Sequence, residues 1–161
     1  MIFATVGTQL PFARLIDALD ALVLELGETI IAQTGPKDGR WPHLDRRETL
    51  TPVEFEQIFT SARVVVAHAG IGTILSAKRW RKPLVILPRR HALGEHRNDH
   101  QLATARQVEK LAGIHVAWQV DDLGPLLRTP DLTAASEAQS PTHAALIDRL
   151  QRFIVGQGSD A

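Results

Sequence analysis

The chain has no cysteine and no tyrosine, and only one methionine in 161 residues. Without cysteine there is no disulfide, no thiolate metal site and no cysteine nucleophile. Net charge is also absent: 18 Lys and Arg balance 18 Asp and Glu. Nothing in that balance calls for nucleic acid. No apolar run approaches the roughly 20 residues of a membrane span. Met1-Ile2-Phe3-Ala4-Thr5-Val6 reads as a strand, with no basic region leading into a long apolar segment. A secretory leader is therefore not expected, and a cytosolic location is. There is no P-loop lysine motif, no serine nucleophile elbow and no Asp-x-Asp pair to hold a metal–diphosphate complex. His91, His96 and His100 lack a carboxylate pair at ligand spacing, so no metal site is expected. The first glycine turn lacks Gly-x-Gly-x-x-Gly and a following ribose acid, which argues against a nicotinamide enzyme.

What is present is an alternation of short apolar runs and helical periods within a length suited to one domain. Residues 2–6 form a strand buried on both faces. Leu15, Ile16, Leu19, Leu22, Val23 and Leu26 recur at helical spacing. Pro11 is placed in the first helical turn, and Gly27 at the stop. Residues 28–33 give a second strand and 34–39 a loop. A short strand is expected near 46–50. Thr51-Pro52-Val53-Glu54 has the spacing of a capping box with proline at the first helical position. Val53, Phe55, Ile58 and Phe59 supply that helix with an apolar face.

The chain is organised around Val64 to Gln101. Val64-Val65-Val66-Ala67 leads into His68-Ala69-Gly70-Ile71-Gly72-Thr73, a helix to about Arg81, and the apolar run 83–88. A polar loop from Arg89 to Asp99 and a helix over 98–112 follow, with Gly113 ending it. A strand over 114–118 and a short helix over 121–127 close the α/β part. Residues 129–142, rich in Ser, Thr, Ala and Pro, read as a linker. An amphipathic helix is expected over 143–155 and a disordered tail over 156–161. Strands alternating with helices predict a parallel, Rossmann-like doubly wound sheet with helices on both faces.

Such a sheet binds ligands at its strand ends. Gly7-Thr8 and Gly70-Ile71-Gly72-Thr73 both fall at strand-to-helix turns. There glycine lets the backbone approach a ligand, and a helix N-terminus offers free N–H groups suited to phosphate. His68 ends a strand beside the second turn. It suits either a hydrogen bond within the sheet edge or donation to phosphate or sugar. Glu95, Asn98, Asp99 and Gln101 could grip several hydroxyls. Arg79, Arg81, Lys82, Arg89, Arg90 and Arg97 gather around the same stretch.

Val6-Gly7-Thr8-Gln9 with Pro11-Phe12, His68-Ala69-Gly70-x-Gly72-Thr73, Lys82-Pro83 and Gly94-Glu95-His96-Arg97-Asn98-Asp99-His100-Gln101 resemble the C-terminal nucleotide-sugar domain of glycosyltransferase family 28. The similarity covers roughly residues 1–118. It is greatest to the family's free-standing form, the small PssE-like and Alg13-like subunits of two-chain transferases. The resemblance implies the donor half of an inverting GT-B enzyme that binds a UDP-sugar and needs no cofactor. A membrane-anchored PssD-like or Alg14-like partner would supply the lipid-linked acceptor, and the helix over 143–155 would dock onto it. That places the chain at the inner face of the plasma membrane. For the exopolysaccharide branch it implies glucuronosyl transfer from UDP-glucuronate to polyprenyl-diphosphate-linked glucose. UDP-N-acetylglucosamine transfer and a non-catalytic nucleotide-binding module are the alternatives.

Carried over by position, Gly7, Thr8, Gly70, Gly72 and Thr73 would face the diphosphate. Leu50 and Thr51 would read the uracil. Asp99, His100 and Gln101 would hold donor-sugar hydroxyls. Where the family commonly has a ribose-binding acid this chain has Ser76, so Glu95 or another group would have to serve. Arg89, Arg90 or Arg97 could pair with a uronate carboxylate. His68 is the only local candidate for a catalytic base, and the base is expected from the partner chain.

Overall fold

The structure, a computed structural model, describes residues 1–36, 39–137 and, beyond these, Ala145, Asp148, Arg149, Gln151 and Arg152. The expected tail, and all but those five positions of the expected docking helix, lie outside the described residues.

Six parallel strands form one sheet: β1 (Ile2–Thr5), β2 (Ile30–Gln33), β3 (Asp45–Arg47), β4 (Val64–Ala67), β5 (Leu84–Ile86) and β6 (Ile114–Val116). Their spatial order is β3-β2-β1-β4-β5-β6. The chain therefore winds outward from the centre twice, and the switch point lies between β1 and β4. Register pairs Ile2 with Val64 and Thr5 with Ala67, so both strands end level at that point.

Alternation divides the core into two layers. Ile2, Ala4, Val64, Val66 and Val85 face α1 (Ala13–Leu26) and α5 (Leu123–Arg128) through Leu15, Leu19, Leu123 and Leu127. Phe3, Val65, Ala67, Leu84 and Ile86 face α2 (Pro52–Ser61), α3 (Ile71–Arg79) and α4 (His100–Val108) through Phe59, Ile74, Ala77 and Val108. Phe3, Phe55, Phe59 and Trp80 join at the second layer, with Phe59 and Trp80 4.9 Å apart edge to face.

Several expected boundaries move for physical reasons. Pro11 lies outside α1, which begins at Ala13 behind Phe12. The carbonyls of Leu10 and Pro11 are taken by the Arg89 guanidinium, which holds residues 7–11 as a loop. The third strand forms at 45–47, where Thr34 and Gly35 donate to Arg47 and Glu48. The capping box forms as expected, with Thr51 and Glu54 bonded both ways. Val53, however, points to solvent at 66% exposure and leaves the apolar face to Phe55, Ile58 and Phe59. α3 stops at Arg79 because Arg81 adopts a left-handed φ of 53° and Lys82 donates back to Ala77. Residues 129–137 carry no helix or strand. Ala135 among them is buried and donates to the Lys82 carbonyl at 3.2 Å. Among the described residues no helix is long and apolar enough to cross a membrane.

Candidate functional site

Two glycine turns leave the sheet side by side at the switch point. After β1, Gly7 takes a φ of 78°, and its N–H donates to the Thr5 hydroxyl at 3.2 Å. That hydroxyl donates in turn to Gln33 Oε1 at 2.8 Å, tying the corner to β2. After β4, Gly70 donates to the His68 carbonyl at 2.8 Å and becomes the N-cap of α3. It provides no side-chain cap, so the first N–H groups of α3 stay open for a ligand.

The imidazole of His68 lies between the two turns. A β-carbon on Gly7 would sit 2.8 Å from its Nε2, and one on Gly70 would sit 2.3 Å from its Cε1. Glycine is required on both sides because the ring fills the space a side chain would take. Gln101 fixes which ring nitrogen carries the proton. Its Oε1 accepts the Arg89 N–H at 3.0 Å, so its Nε2 faces His68 Nδ1 at 3.2 Å and donates to it. Nδ1 is then the acceptor, and Nε2 carries the hydrogen toward the glycine turns. Burial, with Arg89, His96 and His100 nearby, lowers the His68 pKa to about 4. At neutral pH His68 is an uncharged hydrogen-bond donor. The base role considered for it does not fit: the outward nitrogen holds a proton and its partner nitrogen is occupied.

A cleft of about 840 Å³ opens over this point. One end is polar, with Gly7, Thr8, His68, Gly70, Gly72 and Thr73. An apolar part is formed by Leu50, Phe55 and Trp80, the Phe55 and Trp80 rings 6.3 Å apart, and Glu56 and Ser76 also line the cleft. A second lobe of about 730 Å³ continues past His68, lined by Glu95, His96, Arg97, His100, Gln101 and Thr104 among others. The arrangement suits a ligand with a flat apolar group, a central anion and a hydroxyl-rich far end.

Of the residues expected at the site, Gly7, Thr8, Leu50, His68, Gly70, Gly72, Thr73 and Gln101 meet in the first lobe. Arg97, His100 and Glu95 meet in the second. Thr51, Arg90, Asn98 and Asp99 line neither lobe. The Thr51 N–H and hydroxyl are both spent on Glu54. Asn98 accepts from the His100 backbone and Asp99 from that of His91, so both carboxamide and carboxylate brace the loop. Arg90 donates to the Trp118 carbonyl at 2.6 Å.

Two further corrections concern charge. Arg89 reaches the first lobe but is 2% exposed, and its guanidinium donates to the carbonyls of Val6, Leu10 and Pro11. It cannot also bind a uronate. Glu95 is held by Arg14 at 2.6 and 2.9 Å and accepts the Arg90 N–H at 2.8 Å, which removes it as a free acceptor for ribose. Arg97 alone among the three arginines considered is exposed at the second lobe. Sequence reasoning missed the contribution of Phe55, Trp80, Glu56 and His96 to the cleft. Phe55 counts as core by its helical period, Trp80 and Glu56 carry no local motif, and His96 lies within the Gly94–Gln101 string but is weighed there only as a metal ligand. His96 stacks edge to face on His100 at 4.4 Å and leaves its buried Nδ1 without a partner.

The half-buried, neutral His68 makes stability depend on pH. The unfolded chain takes up a proton near pH 6.5, whereas folded His68 does so only near pH 4. Its contribution is therefore complete above about pH 6.5 and lost as pH falls toward 4. His96 and His100, also lowered chiefly by burial, act in the same direction. Urea denaturation at pH 7 and pH 4.5 should show a loss on the order of 2 kcal/mol. The loss should shrink in His68→Asn, whose amide oxygen can still accept from Gln101. An unchanged pH slope in that variant would rule His68 out as the main titrating group.

Comparison with known proteins agrees with this geometry. A family profile, the glycosyltransferase family 28 C-terminal domain, matches residues 1–126. The UDP-N-acetylglucosamine transferase subunit ALG13 of Eremothecium gossypii is 35% identical over 99 residues, covering 60% of this chain and 47% of that protein. Among solved structures, UDP-glucose: anthocyanidin 3-O-glucosyltransferase in complex with UDP superposes with a TM-score of 0.59 at 10% identity, over 99% of this chain and 36% of that one. The calicheamicin glycosyltransferase CalG4 gives 0.57 at 18% identity, over 98% and 39%. MurG of Acinetobacter baumannii gives 0.56 at 16%, over 93% and 49%. At such identities these structures show a shared fold. The chain spans less than half the length of each of these relatives.

Proposed function

This chain belongs to the glycosyltransferase family 28 C-terminal domain family, and from that premise we propose that it is the donor-binding subunit of an inverting UDP-sugar glycosyltransferase. The observation that carries the reading is the meeting of two glycine turns on the outward N–H of His68 at the switch point. In this reading the uracil lies over the apolar part formed by Leu50, Phe55 and Trp80. The diphosphate lies against the α3 N-terminus and the Gly7 corner, and the sugar enters the second lobe. The acceptor hydroxyl attacks the anomeric carbon, the bond to the diphosphate breaks, and UDP leaves with the electron pair. Preformed backbone donors and the His68 N–H stabilise the charge that grows on the leaving group.

The proton lost by the acceptor needs a base. The Glu95 carboxylate of the second lobe is tied to Arg14, and His68 is already protonated on its outward nitrogen. We assign the base to a second, membrane-anchored PssD-like or Alg14-like subunit, as the likeness to two-chain transferases suggests. That subunit also brings the polyprenyl-diphosphate-linked acceptor, and it keeps this chain at the cytoplasmic face of the membrane, in exopolysaccharide synthesis. Calorimetry with UDP on the purified chain should show binding, and transfer should appear only when the partner is added. Full transferase activity of the isolated chain would overturn the division of labour, and failure to bind UDP would overturn the reading of the cleft.

Two donors are compatible with the site. Exposed Arg97 at the second lobe favours a uronate, hence UDP-glucuronate. The likeness to ALG13, a UDP-N-acetylglucosamine transferase subunit, favours UDP-N-acetylglucosamine. Competition between the two donors decides. For a uronate, Arg97→Glu should weaken UDP-glucuronate binding at least about 10-fold more than UDP binding, the loss of one charge-assisted pair.

A further inference from the structure

Arg14 is a cation where a helix disfavours one. It lies in the first turn of α1, a turn with no acidic residue, and the backbone dipole at a helix N-terminus repels positive charge. What holds it there is tertiary. Its Nε donates to Glu95 Oε1 at 2.6 Å and its Nη2 to Glu95 Oε2 at 2.9 Å, a bidentate pair between side chains 19% and 11% exposed. The same Nη2 donates to the Pro88 carbonyl at 3.0 Å, and the guanidinium carbon lies 5.4 Å from the centre of the Phe12 ring. One arginine thus ties α1 to two points of the chain between β5 and α4, the segment that supplies Gly94, Glu95, His96 and Arg97 to the second lobe.

Among the described residues lining that lobe, Glu95 and Arg97 are the two that carry a full charge at neutral pH. His68, His96 and His100 also line it, and burial lowers all three from the ordinary histidine value, which leaves them uncharged. The sign of the lobe therefore depends on whether Glu95 counts. Both of its oxygens are taken, Oε1 by Arg14 and Oε2 by Arg14 and by the Arg90 N–H at 2.8 Å. Paired in this way Glu95 adds no net charge, and Arg97 leaves the lobe cationic. Without Arg14 the carboxylate would keep one backbone donor and act on the lobe as an unpaired anion. Resting on the UDP-sugar reading above, we propose that Arg14 is a specificity-determining residue for the donor sugar. It stands outside the lobe and acts through Glu95, cancelling the charge that would otherwise turn an acidic sugar away.

The test measures, by calorimetry on the full chain, the ratio of affinities for UDP-glucuronate and UDP-glucose, which differ at one carbon by a carboxylate against a hydroxymethyl group. Arg14→Gln should lower that ratio about 10-fold from its wild-type value, the scale of one like-charge contact near a protein surface. Glu95→Gln, which leaves the Arg14 charge uncompensated, should raise it. The double variant, with the net charge restored, should return it to within about 2-fold of wild type, since the anion that Arg14 masks is gone. Arg14→Lys keeps a cation beside Glu95 and should hold the ratio near wild type. A clamp that serves folding alone gives another result: both donors weaken together and the ratio stays where it was. That outcome overturns the assignment, as does a low ratio that persists in the double variant. If Arg14→Gln does not fold, an unchanged ratio in Glu95→Gln overturns it instead. Wild-type binding of UDP but of neither sugar donor also overturns it and leaves the nucleotide reading intact, whereas failure to bind UDP overturns both.

Discussion

Gly70→Ala should abolish measurable UDP binding, with a loss on the order of 100-fold, although it adds a single methyl group. The backbone at Gly70 has φ −93° and ψ 134°, a region open to every residue, so alanine meets no torsional strain. Its β-carbon would instead lie 2.3 Å from His68 Cε1 and 2.9 Å from Nε2. Real atoms do not approach so closely, and the ring has nowhere simple to go. Gln101 holds its far side, and Gly7 closes the other. The ring must turn, and the N–H that we place against the diphosphate turns with it. Overpacking of this kind costs about 1–3 kcal/mol of stability, or roughly 3–10 °C in Tm for a chain of this size. The cause can be isolated. In a His68→Ala background the same Gly70→Ala change should cost almost nothing in Tm, because the atom it collides with is gone. Equal Tm losses in both backgrounds would show that the glycine serves something other than the histidine.

That pairing also shows how far the sequence could be read. The glycine turns, the Thr51–Glu54 box and the alternation of strands with helices are local signals, each written within about ten residues. They placed the fold, and they placed the first lobe around Gly7 and Gly70. What escaped was every decision made between distant segments. Arg14 and Glu95 are 81 positions apart, and only their contact removes Glu95 from the ligand side. Arg89 reaches back 83 positions to Val6. In the sequence it is one cation in a cluster, indistinguishable from Arg97, yet the fold buries one and exposes the other. Phe55 has the period of a core residue and is one, but its position at the start of α2 also sets it at the cleft. A helical period reports burial and is silent about the part of a ring that stays open.

Arg89→Met should be the most destabilising single change at the site, by about 3–5 kcal/mol. Methionine matches much of the length and can keep the contact with Phe12, over whose ring the guanidinium carbon now lies at 4.6 Å. It offers no donor. The carbonyls of Val6, Leu10 and Pro11 would each lose a charge-assisted partner, and an unsatisfied buried acceptor costs about 1–3 kcal/mol. Arg89→Lys should fall between, since one ammonium cannot span three carbonyls as a planar fork does. Burial already lowers the Arg89 pKa to about 10, which reflects how far its charge is removed from water. The loop 7–11 forms the Gly7 corner, so UDP affinity should fall together with stability. Hydrogen exchange should show that loop opening first. Arg97→Glu supplies the contrast: no change in denaturation midpoint, and a change only in the ratio of donor affinities. An Arg89→Met chain within about 1 kcal/mol of wild type would mean that water replaces the guanidinium. The β1–α1 corner would then be held by the sheet alone.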